Sequence, residues 1–212
     1  MSGYYQQHSQ VFPHAYLQEL RGQIFACPYF TVNNLNRDFV GTKGFSIVFR
    51  ESHVSEVCQK FPYFRHYLHR IRQAECNAFY LNPLLLEQGS RVDPHIDRSL
   101  RSYDERIAPP LWVSVLYIET PDPLLGGDLI LRSSKRHVGQ IHPCPNTLIL
   151  FQGNLTHSVT PVSTAGRRLS LVCEQYRLDP EELQNIPEFL VESRALGATQ
   201  RKSSKKREKS RV

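Results

Sequence analysis

Few residues of this chain have the types and spacing to do chemistry. His95 and Asp97 stand one residue apart in VDPHIDRSL. On a strand, side chains at i and i+2 leave the same face, so this imidazole and carboxylate can converge on one cation. Alone, the pair reads more readily as a loop histidine beside a capping aspartate. A third ligand has to come from another strand, and His157 is placed for it, following the apolar run NTLILF (146–151) and opening HSVTPV (157–162). Two nitrogens and one carboxylate oxygen leave open positions opposite them, a donor set that suits non-heme Fe(II). Zinc accepts the same ligands. In GRRLSLVCEQ, alternation puts Arg168 and Ser170 on one face and Arg167, Leu169, Leu171 and Cys173 on the other. A buried arginine needs an anion, and its guanidinium fork pairs with a carboxylate. With Ser170 adding a hydroxyl, the arrangement fits the far carboxylate of a dicarboxylate whose other end chelates the metal. A strand phase shifted by one would hand this role to Arg167, and a shifted register would make Asp93 a rival ligand.

The elements that must carry these residues fall into two textures. Residues 53–75 read as helix, with Val57, Phe61, Phe64, Leu68 and Ile71 on one apolar face. Pro62 predicts a break with a new helical turn starting at it. A shorter helix is expected at 14–22, and a last one near 180–195, starting at Asp179-Pro180. From about residue 76, short β-rich runs alternate with Pro, Gly and Asn: 77–82, 111–119, 127–133, 138–142, 146–151, 157–162 and 167–178. Strands of this length and spacing predict an antiparallel sandwich or barrel. The charged segment RSLRSYDERIAPPL (98–111) predicts a lid or substrate loop. Arg91, Arg98 and Arg101 read either as a basic rim or as a solvated loop, and His142, before a proline, as a loop or core histidine.

A chain of 212 residues with 40% hydrophobic content suits one domain with a real core. The division expected is a flexible 1–13, a domain over 14–196 (helical support 14–75, β core 76–178, C-terminal helix 179–196) and a tail over 197–212. The net charge of +6 belongs to the last twelve residues, RKSSKKREKSRV, which hold seven Lys/Arg and one Glu; the other 200 are balanced. Such a tail is expected to be disordered and to suit an anionic partner, or simply to solubilise. Five unpatterned cysteines and a polar start, MSGYYQQHSQ, predict a reducing, cytoplasmic setting with no membrane span. Oligomeric state is not legible.

The order His95-x-Asp97, His157, then Arg168 eleven residues later resembles the Fe(II)/2-oxoglutarate-dependent dioxygenases. GGDLILRS, PNTLILFQGNLTHSVTPV and GRRLSLV are similar to the prolyl-4-hydroxylase-like branch, over roughly residues 76–178. The resemblance implies a mainly β fold with supporting helices, a double-stranded β-helix or jelly roll. It implies Fe(II) on His95, Asp97 and His157, and the C5 carboxylate of 2-oxoglutarate on Arg168, where some members of the branch carry lysine. Tyr117 and Tyr80 match the positions of cosubstrate-binding tyrosines; Tyr117 is the better match, and Tyr80 reads rather as a core aromatic. The implied reaction uses O2, with ascorbate as a possible reductant, and hydroxylates an aliphatic C–H of a peptidyl or free amino acid, or a related small molecule, releasing succinate and CO2. Halogenation is disfavoured, because related halogenases carry a small residue where this chain has Asp97. A non-catalytic jelly-roll binding module and a cupin-like metal protein stand as alternatives; neither needs all four residues.

Overall fold

The computed structural model describes residues 3–33 and 38–196; the basic tail lies outside the described residues. Two antiparallel sheets face each other. The larger, nine-stranded sheet is centred on Trp112–Glu119, Arg168–Tyr176 and Ala78–Leu86, with Thr147–Gln152 outside the first of these. The smaller, five-stranded sheet runs Arg136–Ile141, Leu129–Ser133, Thr156–Val159, Arg91–His95, Phe39–Val40. This is the expected jelly roll, in which strands far apart in sequence pair. The seven β-rich runs all became strands, because each alternates or is continuously apolar between turn residues.

Helices cover the outer face of the larger sheet. The chain forms Val54–Lys60, a 3-10 turn at Pro62–Phe64 and Arg65–Ile71, so the break falls at Pro62 as expected. The predicted apolar face of this region, with Leu20 and Ile24 of helix His14–Ala26, packs on Leu81, Leu116, Leu171 and Cys173 from the sheet. Each fully buried leucine or phenylalanine here is worth about 1.5–3 kcal/mol. One polar pin crosses this layer: the buried Tyr67 hydroxyl donates to Leu171 O at 3.1 Å and lies 2.9 Å from Ser114 Oγ. A second core fills the space between the sheets, with Val113, Val115, Leu129, Leu131, Ile149 and Phe151.

Three expectations are corrected. The N-terminal stretch is not loose throughout: Tyr5–Ser9 pairs along Thr147–Gln152, Tyr5 opposite Phe151 and Ser9 opposite Thr147. Its polar side chains carry no core signal; the backbone satisfies the edge of the larger sheet. The region 14–75 is not only helical support, since Ser46–Arg50 joins the larger sheet beside Ala78–Leu86. The C-terminal helix is confined to Pro180–Asn185, begun by an Asp179/Glu182 capping box, and the chain then forms the strand Phe189–Glu192 on Ser46–Arg50. Pro187 follows its end, and Phe189, Leu190 and Val191 favour a strand. The charged segment 98–111 is stitched down: Leu100 and Ile107 are fully buried against Tyr80 and Tyr176. No helix among the described residues is long and apolar enough to cross a membrane.

Candidate active site

His95 ends the strand Arg91–His95, and sheet register sets it directly opposite His157 of Thr156–Val159. The two rings lie 4.4 Å apart, centroid to centroid. Asp97 has left the strand by two residues, so its convergence comes from the turn and not from the pleat; the same-face argument holds for His95 alone. The carboxylate is 7% exposed and His157 8%.

The hydrogen bonds decide which nitrogens are protonated. His95 Nδ1 lies 2.9 Å from Asp93 O, and His157 Nδ1 lies 3.2 Å from Leu155 O. A carbonyl can only accept, so each Nδ1 carries the proton and each Nε2 of a neutral ring presents a lone pair. Both Nε2 atoms face Asp97: His95 Nε2 is 3.2 Å from Oδ1, and His157 Nε2 is 3.4 Å from Oδ2. Three acceptors turned on one another in a buried site call for a cation between them. The ligand atoms all lie within 4.8 Å of one another. Two imidazoles, one carboxylate and ring orientation by backbone carbonyls fit Fe(II) with open positions.

A proton on His95 takes part of a cation's place among the three groups. Burial works against a charged His95 ring, but the hydrogen bond and charge of Asp97 raise its pKa above the ordinary value. Burial lowers that of His157, with Asp97 opposing and His95 adding to the fall. Burial penalises the Asp97 carboxylate, yet the two imidazoles hold it below the usual range. Asp93 is not a rival ligand: its half-exposed carboxylate takes Arg91 Nε at 2.8 Å, and its carbonyl orients His95.

The triad stands where two spaces meet. Outside lies a cleft of about 1040 Å³, lined among others by Phe39, Tyr80, Arg98, Ser102 and Glu192. Inside lies a narrow chamber of about 60 Å³, lined by Arg168 and walled by Val113, Val115, Leu129 and Phe151. Arg168 is 2% exposed. Its Nε donates to Gly127 O at 3.1 Å, and its Cζ lies 5.1 Å from the Tyr117 ring centroid. Among the described residues no carboxylate pairs with it, and burial lowers its pKa, with the Tyr117 hydroxyl nearby in opposition. Among the described residues the fully buried Tyr117 hydroxyl has no well-aligned hydrogen-bond partner, and its neighbour is the Arg168 guanidinium. A buried cation with no acid and a hydroxyl beside it, both lining a chamber, are what a carboxylate ligand would satisfy.

The other sequence candidates fall out plainly. Arg167 is exposed, 3.3 Å from Glu119, so the expected strand phase holds. Ser170 faces the chamber, opposite Tyr117 in register, but its hydroxyl donates to Leu84 O at 3.4 Å. Tyr80 lines both spaces, and its hydroxyl accepts from Ser46 Oγ at 2.6 Å. His142 is exposed, 2.7 Å from Asp128. Sequence reasoning missed Glu174. It sits on the chamber face with Arg168, Ser170 and Val172, and burial, then the charge of Asp97, pushes its pKa up to about 8. The alternation that selected Arg168 also selects position 174.

The sequence profile of the 2OG-Fe(II) oxygenase superfamily matches residues 79–173. Among curated proteins no sequence match is found. Among solved structures, a Pseudomonas putida prolyl-4-hydroxylase superposes with a TM-score of 0.57 at 17% identity, over 84% of this chain and 95% of that chain. A Trichoplax adhaerens prolyl hydroxylase, in complex with a hypoxia inducible factor oxygen degradation domain peptide fragment, gives 0.57 at 15% identity, over 85% and 86%. A Burkholderia pseudomallei oxidoreductase of the 2OG-Fe(II) oxygenase family gives 0.55 at 13%, over 84% and 87%. These likenesses are of fold. The profile match spans the strands that carry His95, His157 and Arg168, so this part of the chain is similar to the 2OG-Fe(II) oxygenase superfamily, whose members are dioxygenases that use Fe(II), 2-oxoglutarate and O2.

Proposed function

We propose that the protein hydroxylates an aliphatic C–H of an amino acid, peptidyl or free and proline-like, or of a related small molecule, with release of succinate and CO2. In this reading His95, Asp97 and His157 hold Fe(II), and Arg168 receives the distal carboxylate of 2-oxoglutarate. The observation that carries it is the placing of three mutually facing acceptors between an inner chamber lined by a buried arginine and an open cleft. The bound metal supplies activation of O2 at the expense of 2-oxoglutarate. The protein supplies the rest. Asp93 O and Leu155 O hold the imidazoles in the ligating tautomer. Arg168 offers a charge-assisted fork, and the Tyr117 hydroxyl is free to donate beside it. Val113, Val115, Leu129 and Phe151 keep water from the chamber. The outer cleft is the place for substrate, and its size supports an amino acid within a peptide; the Trichoplax relative was solved with a peptide fragment.

The buried arginine without an acid argues against a pure binding module or a cupin-like metal protein, neither of which has a use for it. The test is anaerobic. Fe(II) and then 2-oxoglutarate are added to metal-free protein, and the visible spectrum is recorded. A weak charge-transfer band needing both additions is the expected result, and succinate formation with peptide and free amino-acid substrates follows. Tight zinc binding with no band would overturn the reading.

A further inference from the structure

Glu174 is a buried carboxyl that the chemistry above does not use. It is 4% exposed and lines the inner chamber beside Asp97. Burying such a group is costly unless its oxygens are satisfied. Its partners are local and few. Oε1 accepts from Ser99 Oγ at 2.5 Å, and Oε2 accepts from Ser99 N at 3.4 Å and from the Tyr176 hydroxyl on its own strand. Ser99 opens the 3-10 turn Ser99–Ser102 and follows Asp97 by two residues.

This matters because Asp97 lies beyond the end of its strand. The segment 96–98 is suspended between two attachments. One is the cross-strand pairing of His95 with His157. The other is Ser99, tied through Glu174 to the central strand Arg168–Tyr176, with Leu100 buried just after it. The same strand carries Arg168 six residues earlier on the same face. One rigid element would therefore set both the cosubstrate end of the chamber and the third ligand.

Resting on the metal-centre reading above, we propose that Glu174 is a positioning residue: by gripping Ser99 it holds the turn that carries Asp97 in the place that closes the triad. Side chains that orient ligands from behind typically control metal affinity by about 10–100-fold. A merely structural carboxyl would change stability and leave metal affinity alone.

The test is Fe(II) affinity of the full chain, measured anaerobically by competition with a chelator. Glu174→Ala is expected to weaken Fe(II) binding by about 10–100-fold. Glu174→Gln is expected to recover most of it, because the amide oxygen still accepts from the Ser99 hydroxyl. Ser99→Ala is expected to weaken binding similarly, and the double variant to be no worse than the weaker single one, as for two members of one link. If Glu174→Ala does not fold, Ser99→Ala and Glu174→Gln decide. Folded Glu174→Ala and Ser99→Ala proteins that bind Fe(II) like the parent would overturn the inference and leave the metal reading intact. A parent protein with no Fe(II) affinity would overturn the metal reading, and this inference with it.

Discussion

Replacing Arg168 by methionine should raise the stability of the ligand-free protein, or leave it unchanged, while removing its response to 2-oxoglutarate. The two effects have one cause. The guanidinium is 2% exposed and, among the described residues, unpaired with any acid, so the empty protein bears its desolvation. Exchanging a buried charge for an apolar side chain of similar volume is typically neutral or stabilising by about 1–4 kcal/mol. With cosubstrate bound, the same group forms a buried, charge-assisted pair, and removing one partner of such a pair costs about 3–5 kcal/mol. That is roughly two to three and a half decades in Kd. The assay is thermal unfolding under anaerobic conditions with metal present. At a 2-oxoglutarate concentration about 100 times the parent's Kd, the parent gains about 2.7 kcal/mol, or roughly 5–10 °C for a domain of this size. The variant, at or below its own Kd, gains about 0.4 kcal/mol or less, on the order of 1 °C. Arg167→Met is the control and should change neither quantity, since Arg167 is exposed and paired with Glu119. A variant that unfolds well below the parent yet keeps its 2-oxoglutarate shift would refute the reasoning.

Asp97→Ala and His157→Ala should each abolish succinate formation and sharply weaken Fe(II) binding, while the folded state survives; turnover in the double variant would contradict the triad. Gly127→Ala should raise the KM for 2-oxoglutarate about tenfold, because its φ is +71° and a Cβ there would stand 3.1 Å from Arg168 Cδ; the left-handed backbone adds about 1–2 kcal/mol of strain. An unchanged KM would show that Arg168 has room to yield. The metal-free protein should lose stability as pH rises through the window from the ordinary glutamate value to about 8, by up to about 1.4 kcal/mol per pH unit, as Glu174 gives up a proton that the native state holds more tightly than the unfolded chain. Denaturant titrations at several pH values check this. Glu174→Gln should flatten the slope, and an equal slope in both proteins would assign it to other groups.

What the sequence determined by itself is periodicity and order. The steps of Val57, Phe61, Phe64, Leu68 and Ile71 specify a helical face whatever they pack against, and Pro62 breaks the run where it lacks an N–H. Alternation placed Arg168 inside and Arg167 outside, since a period of two leaves no other choice once one face is apolar. Those same local rules were silent where the partner is remote. Tyr5–Ser9 is polar, and only the open edge of Thr147–Gln152 makes it a strand. Phe189–Glu192 and Ser46–Arg50 are strands to each other across the chain. Asp97 reaches the two imidazoles by a turn, and Ser99 in that turn bonds a carboxyl 75 positions further on. Pairing across such separations is decided by which backbone and polar groups remain unsatisfied after the core has formed, a property of the assembled sheets and not of any window of residues. The chemistry could be read from four residue types in order. The convergence of the three ligand atoms, the chamber behind them and the hydrogen bond of Ser99 to Glu174 exist only when His95 faces His157 across the smaller sheet and Arg168–Tyr176 runs behind them in the larger one.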